Sequence, residues 1–297
     1  MKRLAYALVL LGSLTMATPA LASHSWGGYH WARTTSPFTL RLGDNVSSAW
    51  DSYLSAASVD WTTSNMLDTT IVRGSTTARV CRAVSGTVQV CNSAYGSTGW
   101  LGVAQIWING SHITAGTVKL NDTYFRTSTY NTPGWRHMVA CQEVGHTFGL
   151  GHQDENFSNA NLGTCMDYTN NPARNDGAGN NLHPNAHDYD QLDLIYAHLD
   201  TFSSYIKTGV SSAFSKAALG SAFANNDMAS VAGGLSVVPV APTAPTLPTI
   251  PELPELSLDV SEWGSAIGAD ARGRIDEFER DFGKGQKVIT HVLWIQQ

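Results

Sequence analysis

One segment of the chain carries a glutamate and two histidines with the spacing of a metal-dependent hydrolytic site. The residues from Cys141 to His152 read CQEVGHTFGLGH. Because residues four apart lie on one face of a helix, positions 142 and 146 can approach the same ion. Glu143 lies one step further round, where a carboxylate can act as a base on water without ligating the metal. Gly149 permits a sharp turn at the helix end, so that His152 can return to the ion as another ligand.

This segment resembles the metzincin signature H-E-x-x-H-x-x-G-x-x-H, which it matches at Glu143, His146, Gly149 and His152. Further along, the residues around Met166 resemble the Met-turn that lies beneath the zinc in that clan. The resemblance covers residues 23–205 and implies a secreted, matrixin-like zinc endopeptidase. Its cofactor would be Zn²⁺, its general base Glu143, and its substrate a protein or peptide.

The first ligand position of the signature holds Gln142 instead of a histidine. An amide oxygen binds zinc more weakly than imidazole, so Gln142, His146 and His152 are predicted to form a weakened metal site. His137 lies about 140° around the helix from Gln142 and faces elsewhere. Three further histidines lie in or near predicted loops and could reach the metal: His112, His183 and His187.

Tyr168 follows Met166 by two residues. In astacin- and serralysin-like relatives, the tyrosine at this spacing is an additional zinc ligand. The resemblance therefore implies that Tyr168 supports the metal site or steadies the oxyanion during peptide hydrolysis, and Tyr168 joins Glu143 as a predicted catalytic residue.

Gln142 leaves two functions open. The first is a zinc endopeptidase, and the second is a non-catalytic binding protein that keeps the cleft with a weakened metal site. A pure binding protein has no need of the Glu143 carboxylate, so its presence favours the enzyme.

The four cysteines of the chain are Cys81, Cys91, Cys141 and Cys165. An even number in an exported chain indicates two disulfides, for which three pairings are formally possible. Alternating apolar residues around Ser85-Gly86 predict a hairpin, which favours a local bond between Cys81 and Cys91. Cys141 would then pair with Cys165 and tie the helix to the Met-turn.

The start of the chain predicts export. Lys2 and Arg3 precede an apolar stretch, and Ala20-Leu21-Ala22 presents small residues to a signal peptidase. That stretch is shorter than the roughly 20 apolar residues of a membrane span. The net charge of −6 and the lack of basic runs argue against a nucleic-acid partner. A secreted monomer without a membrane span is predicted.

The elements that must position the site alternate between strand and helix patterns. Asp44 and the residues after it predict a capped amphipathic helix that runs to about Trp61. Strands are predicted at 67–72, 78–84, 87–91, 99–109 and 113–125, and helices at 135–148 and 185–199. The strand at 99–109 resembles the edge strand along which matrixin-like enzymes align an extended substrate.

These elements predict an α+β fold: a metzincin-like domain with a twisted mixed sheet, an active-site helix and a Met-turn. The predicted boundaries are a signal peptide at 1–22, the metallopeptidase domain at 23–205, a linker that is Ala/Ser-rich and then Pro-rich at 206–256, and a β-hairpin segment at 257–297. A lone hairpin is marginal in water, so it must dock on the main domain or on a partner. The Asn- and Asp-rich loop at 154–183 is either a structural Ca²⁺ site or a set of turns.

Overall fold

The computed structural model describes residues 24–207 and 253–296. The predicted signal peptide and most of the predicted linker lie outside these ranges. Within them, no helix is long and apolar enough to cross a membrane.

The described chain is α+β, as the sequence predicts. Its helices are α1 (Asp51–Trp61), α2 (Asp122–Phe125), α3 (Pro133–His146) and α4 (Ala186–Ile195). Its strands are β1 (His30–Trp31), β2 (Phe38–Asn45), β3 (Leu67–Arg73), β4 (Val88–Ser93), β5 (Trp100–Asn109), β6 (His112–Asn121), β7 (Ser265–Ala269), β8 (Ile275–Gly283) and β9 (Gln286–Trp294).

All nine strands belong to one mixed sheet. The order is β3-β2-β4-β6-β5-β9-β8-β7, and β1 pairs with the start of β6. The pairs that join β2, β3, β4 and β6 are parallel, whereas every pair from β6 through β5 to β7 is antiparallel. The strands after the linker thus extend the sheet of the first domain.

Three sequence predictions are wrong. Residues 122–125, predicted as the end of a strand, form the short helix α2, which the Asn121 side chain caps. Asp44 and Asn45 do not cap α1 but end β2, because the ladders with β3 and β4 hold them in the strand. Residues 78–84 form no strand, and the predicted hairpin to Cys91 is absent. The reason is that β4 lies between β2 and β6, which occupy both of its edges. Cys81 bonds to Cys91 from a turn, and its φ is +50°.

Helix α3 begins at a clear local signal. The Thr132 side chain accepts a hydrogen bond from the Trp135 amide, and Pro133 occupies the first turn, where its missing N–H costs nothing. From Met138 to His146 every residue of the helix is buried. The helix packs on α1 and the sheet, so the signature residues point into the protein interior.

The strands after the linker are part of the hydrophobic core. Side chains alternate between the two faces of a strand, and Ile289 and Leu293 pack into the main core on the side of α3. Val292 and Trp294 face the opposite side, where they form an outer cluster with Trp263 and other residues. The outer cluster comprises Tyr95, Trp100, Val103, Trp263, Phe278, Val292 and Trp294.

We predict that Leu293→Ala lowers the free energy of unfolding of the whole domain by about 2–5 kcal/mol, the usual cost of truncating a buried leucine. Leu293 is 1% exposed, whereas Ile267 of the same segment is 52% exposed. The control Ile267→Ala should therefore change it by less than about 0.5 kcal/mol. Urea unfolding followed by tryptophan fluorescence measures both. Equal effects of the two variants would mean that the C-terminal strands are only loosely attached.

Candidate metal centre

His146 and His152 approach each other across the turn that ends α3. Their Nε2 atoms lie 3.0 Å apart. Gly149 has φ of +94°, and a Cβ there would lie 2.1 Å from the Tyr29 carbonyl oxygen, so only glycine fits this close approach. His146 Nδ1 lies 2.7 Å from the Leu150 carbonyl oxygen, which can only accept. Nδ1 therefore carries the proton, and the Nε2 lone pair faces His152.

A third histidine joins this pair from the far end of the chain. His291 lies on β9, and it forms with His146 and His152 a group whose ligand atoms all lie within 4.8 Å of one another. Its ring centroid is 3.9 Å from that of His146 and 4.4 Å from that of His152. These three imidazoles are the donor set that the structure brings together.

Tyr168 and Asp276 orient the His291 ring. The Tyr168 hydroxyl donates to Asp276 Oδ2 at 2.8 Å and lies 2.9 Å from His291 Nε2. Since its proton goes to Asp276, the hydroxyl accepts from His291 Nε2–H. His291 Nδ1 is then the nitrogen with the lone pair, and it is buried without a hydrogen-bond partner. In this arrangement Tyr168 positions the His291 ring, and both its donor and its acceptor capacity are used by Asp276 and His291.

The Glu143 carboxylate lies beside the three histidines. Both of its oxygens are buried and lack hydrogen-bond partners, and Oε2 is 3.6 Å from His291 Nδ1. A Cβ on residue 102 would lie 2.4 Å from Glu143 Oε1, so Gly102 of β5 leaves the room that this carboxylate occupies. Glu143 thus faces the donor set from the helix side, in a space that the sheet keeps open.

Gln142 takes a different position from the one expected of a ligand. Its Nε2 donates to the Cys165 carbonyl at 2.9 Å, while its Oε1 is buried without a partner. Cys165 also bonds to Cys141, so the disulfide joins α3 to the segment that contains Met166. The Met166 side chain is buried, and a Cβ on Gly145 would lie 2.8 Å from its sulfur, so this segment packs closely against α3.

Burial sets the charge of the site. Desolvation holds the pKa of His152 at about 3, and it holds those of His146 and His291 well below the usual value. Neutral imidazoles are the form that binds metals. Desolvation also raises the pKa of Glu143 well above the usual value. A cation between these groups would relieve that cost, because it favours the ionised carboxylate.

The donor set fits a zinc ion. Zinc favours imidazole nitrogen, and two ligands at about 2.0–2.1 Å in tetrahedral geometry lie roughly 3.4 Å apart. His146 and His152 are close to that separation, and the orphaned atoms of Gln142, Glu143 and His291 are the kind that an ion or its water would satisfy.

The other histidines considered from the sequence lie elsewhere. His137 and His183 contact each other and lie near Asp60, and His112 lies 3.1 Å from Asp200. His187 stacks on His24. The histidine that lies beside His146 and His152 is His291, which the sequence interpretation did not consider. One signal was available: it is the only histidine after residue 198, on a hairpin that needs a docking site.

The calcium expected in the loop at 154–183 has no support in the described residues. Asp167 Oδ2 accepts hydrogen bonds from the Leu162 amide and from Asn181, and the Asp176 carboxylate accepts from Arg174 and from the Asn161 amide. These carboxylates organise turns within the loop, which agrees with the simpler of the two interpretations.

A comparison with solved structures finds two proteins at low similarity. High choriolytic enzyme 1, a hatching enzyme zinc-protease from Oryzias latipes (Medaka fish), matches with a TM-score of 0.32 and 11% identity over 57% of this chain and 94% of its own. Myroilysin matches with a TM-score of 0.32 and 11% identity over 56% of this chain and 86% of its own. No protein-family model and no curated sequence matches the chain. At this similarity no residue role transfers, so any function rests on the geometry above.

We predict that His291→Gln weakens zinc binding by on the order of 100-fold, which is the loss of about one ligand from a site worth about 10–16 kcal/mol. Gln142→His alone should change the affinity little, because three imidazoles already converge. In the double variant, Gln142→His should recover much of the affinity that His291→Gln loses, because the signature position is refilled. Competition with a chromophoric chelator measures all four proteins, and an unchanged affinity in His291→Gln would remove His291 from the site.

Proposed function

We propose that the protein is a secreted zinc-dependent endopeptidase. The observation that supports it best is the Glu143 carboxylate, buried beside three converging imidazoles with no hydrogen-bond partner on either oxygen. Burying a carboxylate without partners costs stability, and such carboxylates are rare. Its presence therefore points to a function. General-base chemistry next to a metal is such a function.

His146, His152 and His291 would hold the zinc, and a bound zinc ion supplies a Lewis acid that polarises a peptide carbonyl and acidifies water. Glu143 takes a proton from the attacking water and passes it to the nitrogen of the departing amine. Trp26 stacks on His146 with ring centroids 4.8 Å apart and holds that ring in place. Tyr168 and Asp276 fix the tautomer of His291, the role of outer partners at metal sites.

The burial of the site residues limits the access of a substrate to this centre. His146, Glu143 and His291 are fully buried, and β9 lies along the edge of β5. A cavity of about 450 Å³ approaches from the side of His152 and Trp26. For a peptide to reach Glu143, the C-terminal strands would have to shift, because β9 covers the donor atoms.

The two disulfides are typical of proteins in oxidising compartments, and the predicted signal peptide also indicates export. Both observations support secretion. The substrate class proposed is a protein or a peptide, because peptide hydrolysis is the chemistry that a base and a zinc ion in this arrangement perform.

The experiment that tests the function is Glu143→Gln in the full-length chain. This variant keeps the shape of the side chain but removes the base, so peptide cleavage should fall by about 10²–10⁴-fold. Zinc content should stay the same, and Glu262→Gln, at an exposed position, serves as the control. Cleavage of unstructured protein substrates is the measurement. Undiminished cleavage by Glu143→Gln would assign the activity to another site or to a contaminant.

The burial of the centre also favours a second candidate, a non-catalytic protein in which zinc and the C-terminal strands only stabilise the fold. Trp263→Ala separates the two, since Trp263 packs in the outer cluster away from the metal centre. Loosening this cluster increases the open population if the strands must move, and we expect cleavage to rise about tenfold or more. A purely structural centre would show no cleavage with or without the variant.

A further inference from the structure

A second group of histidines surrounds a single carboxylate oxygen. Asp200 Oδ1 lies 3.1 Å from His112 Nε2, 3.5 Å from His198 Nε2 and 3.8 Å from His30 Nε2. Each ring presents the same nitrogen to the same oxygen. None of these residues belongs to the metal centre described above. The ligand atoms of His30, His198 and Asp200 also lie within 4.8 Å of one another.

The protonation of His30 follows from its other hydrogen bond. Its Nδ1 lies 3.0 Å from the Gly28 carbonyl oxygen, and since a carbonyl only accepts, Nδ1 carries the proton. When the ring is neutral, its lone pair is at Nε2 and faces the Asp200 carboxylate. This Nε2 atom is buried and has no hydrogen-bond partner. Two acceptors that face each other repel unless a cation lies between them.

A metal ion would bring the atoms of this cluster together at one position. One divalent ion satisfies several nitrogens and the carboxylate together. Imidazole with one carboxylate is a zinc-type donor set, and ligands at about 2.0–2.2 Å from a tetrahedral ion lie roughly 3.3–3.5 Å apart.

We propose that His30, His198 and Asp200, with His112 beside them, form a second zinc site. Its role is to clip the two ends of the N-terminal domain together. His30 lies on β1 and pairs with His112 at the start of β6, whereas His198 and Asp200 follow α4. Asp200 also exchanges backbone and side-chain hydrogen bonds with Arg33. The clip would close a loop of more than 160 residues, which is where a cross-link restricts the unfolded chain most.

The site would also support the first metal centre from outside. The segment that leads into β1 contains Trp26, which stacks on His146. The Tyr29 carbonyl lies where a Cβ on Gly149 would be, so the chain next to His30 packs against the turn between the two histidines of the metal centre. A metal ion that anchors β1 would therefore also hold the turn between His146 and His152 in position, although no residue of that turn would bind this second ion.

The test is a zinc titration of the full-length chain after removal of metal with a chelator. Bound zinc is measured by elemental analysis after gel filtration, and the wild type should retain about two ions per chain. His198→Gln should retain about one ion, and because the His198 side chain is exposed, the substitution should leave the fold intact. Asp200→Asn, which keeps an oxygen for the Arg33 amide, should show the same loss. His187→Gln, a histidine outside these clusters, should retain both ions.

A second measurement separates this site from the first. Added Zn²⁺ should raise the thermal unfolding midpoint of His291→Gln, and this rise should be smaller in the His198→Gln/His291→Gln double variant, where only the weakened first site remains. Equal zinc content in wild type, His198→Gln and Asp200→Asn would overturn the proposal. A cluster that changes stability only with pH, and not with Zn²⁺, would also overturn it and would identify a proton-binding group instead.

Discussion

The pairing of β9 with β5 is the constraint on which the metal centre depends. In this ladder His291 lies opposite Ala104, two residues from the glycine that makes room for Glu143. Because side chains alternate along a strand, Ile289, His291 and Leu293 share the face toward α3, whereas Val292 and Trp294 face the outer cluster. A slip of one residue would exchange the two faces and turn His291 away from the site. The hydrophobic pattern of β9 thus determines the position of His291, the proposed third ligand.

The centre contains polar groups, each of which is unfavourable to bury on its own. Glu143 and His291 lose their solvation, and the surrounding packing supplies them with few hydrogen bonds. Their positions are held by apolar contacts, by the disulfide between Cys141 and Cys165, and by the Tyr168–Asp276 pair. A cation would be a common partner for these groups, and by linkage its binding would stabilise the fold.

The C-terminal strands have two physical effects that oppose each other. They bring His291, the proposed third ligand, beside His146 and His152, and they cover the donor atoms at the same time. A ligand set completed by a strand over the site favours tight metal binding and slow access. The proposed ligand set would let a chain with Gln142 at the first ligand position still bind a metal next to Glu143.

The local parts of this arrangement could be predicted from the sequence, because they depend on residues close together in the chain. The i, i+4 geometry of a helix and the glycine after it place Glu143, His146 and His152, and the patterns of α3, α4 and β5 are visible in the order of residues. The Asp44 cap and the hairpin before Cys91 were predicted wrongly, because parallel strand pairing with distant segments decides both. His291 depends on a strand pair between residues about 190 positions apart, and the cluster around Asp200 joins both ends of the domain. Only the tertiary structure decides such contacts, since they result from which hydrophobic faces find each other and not from any local pattern.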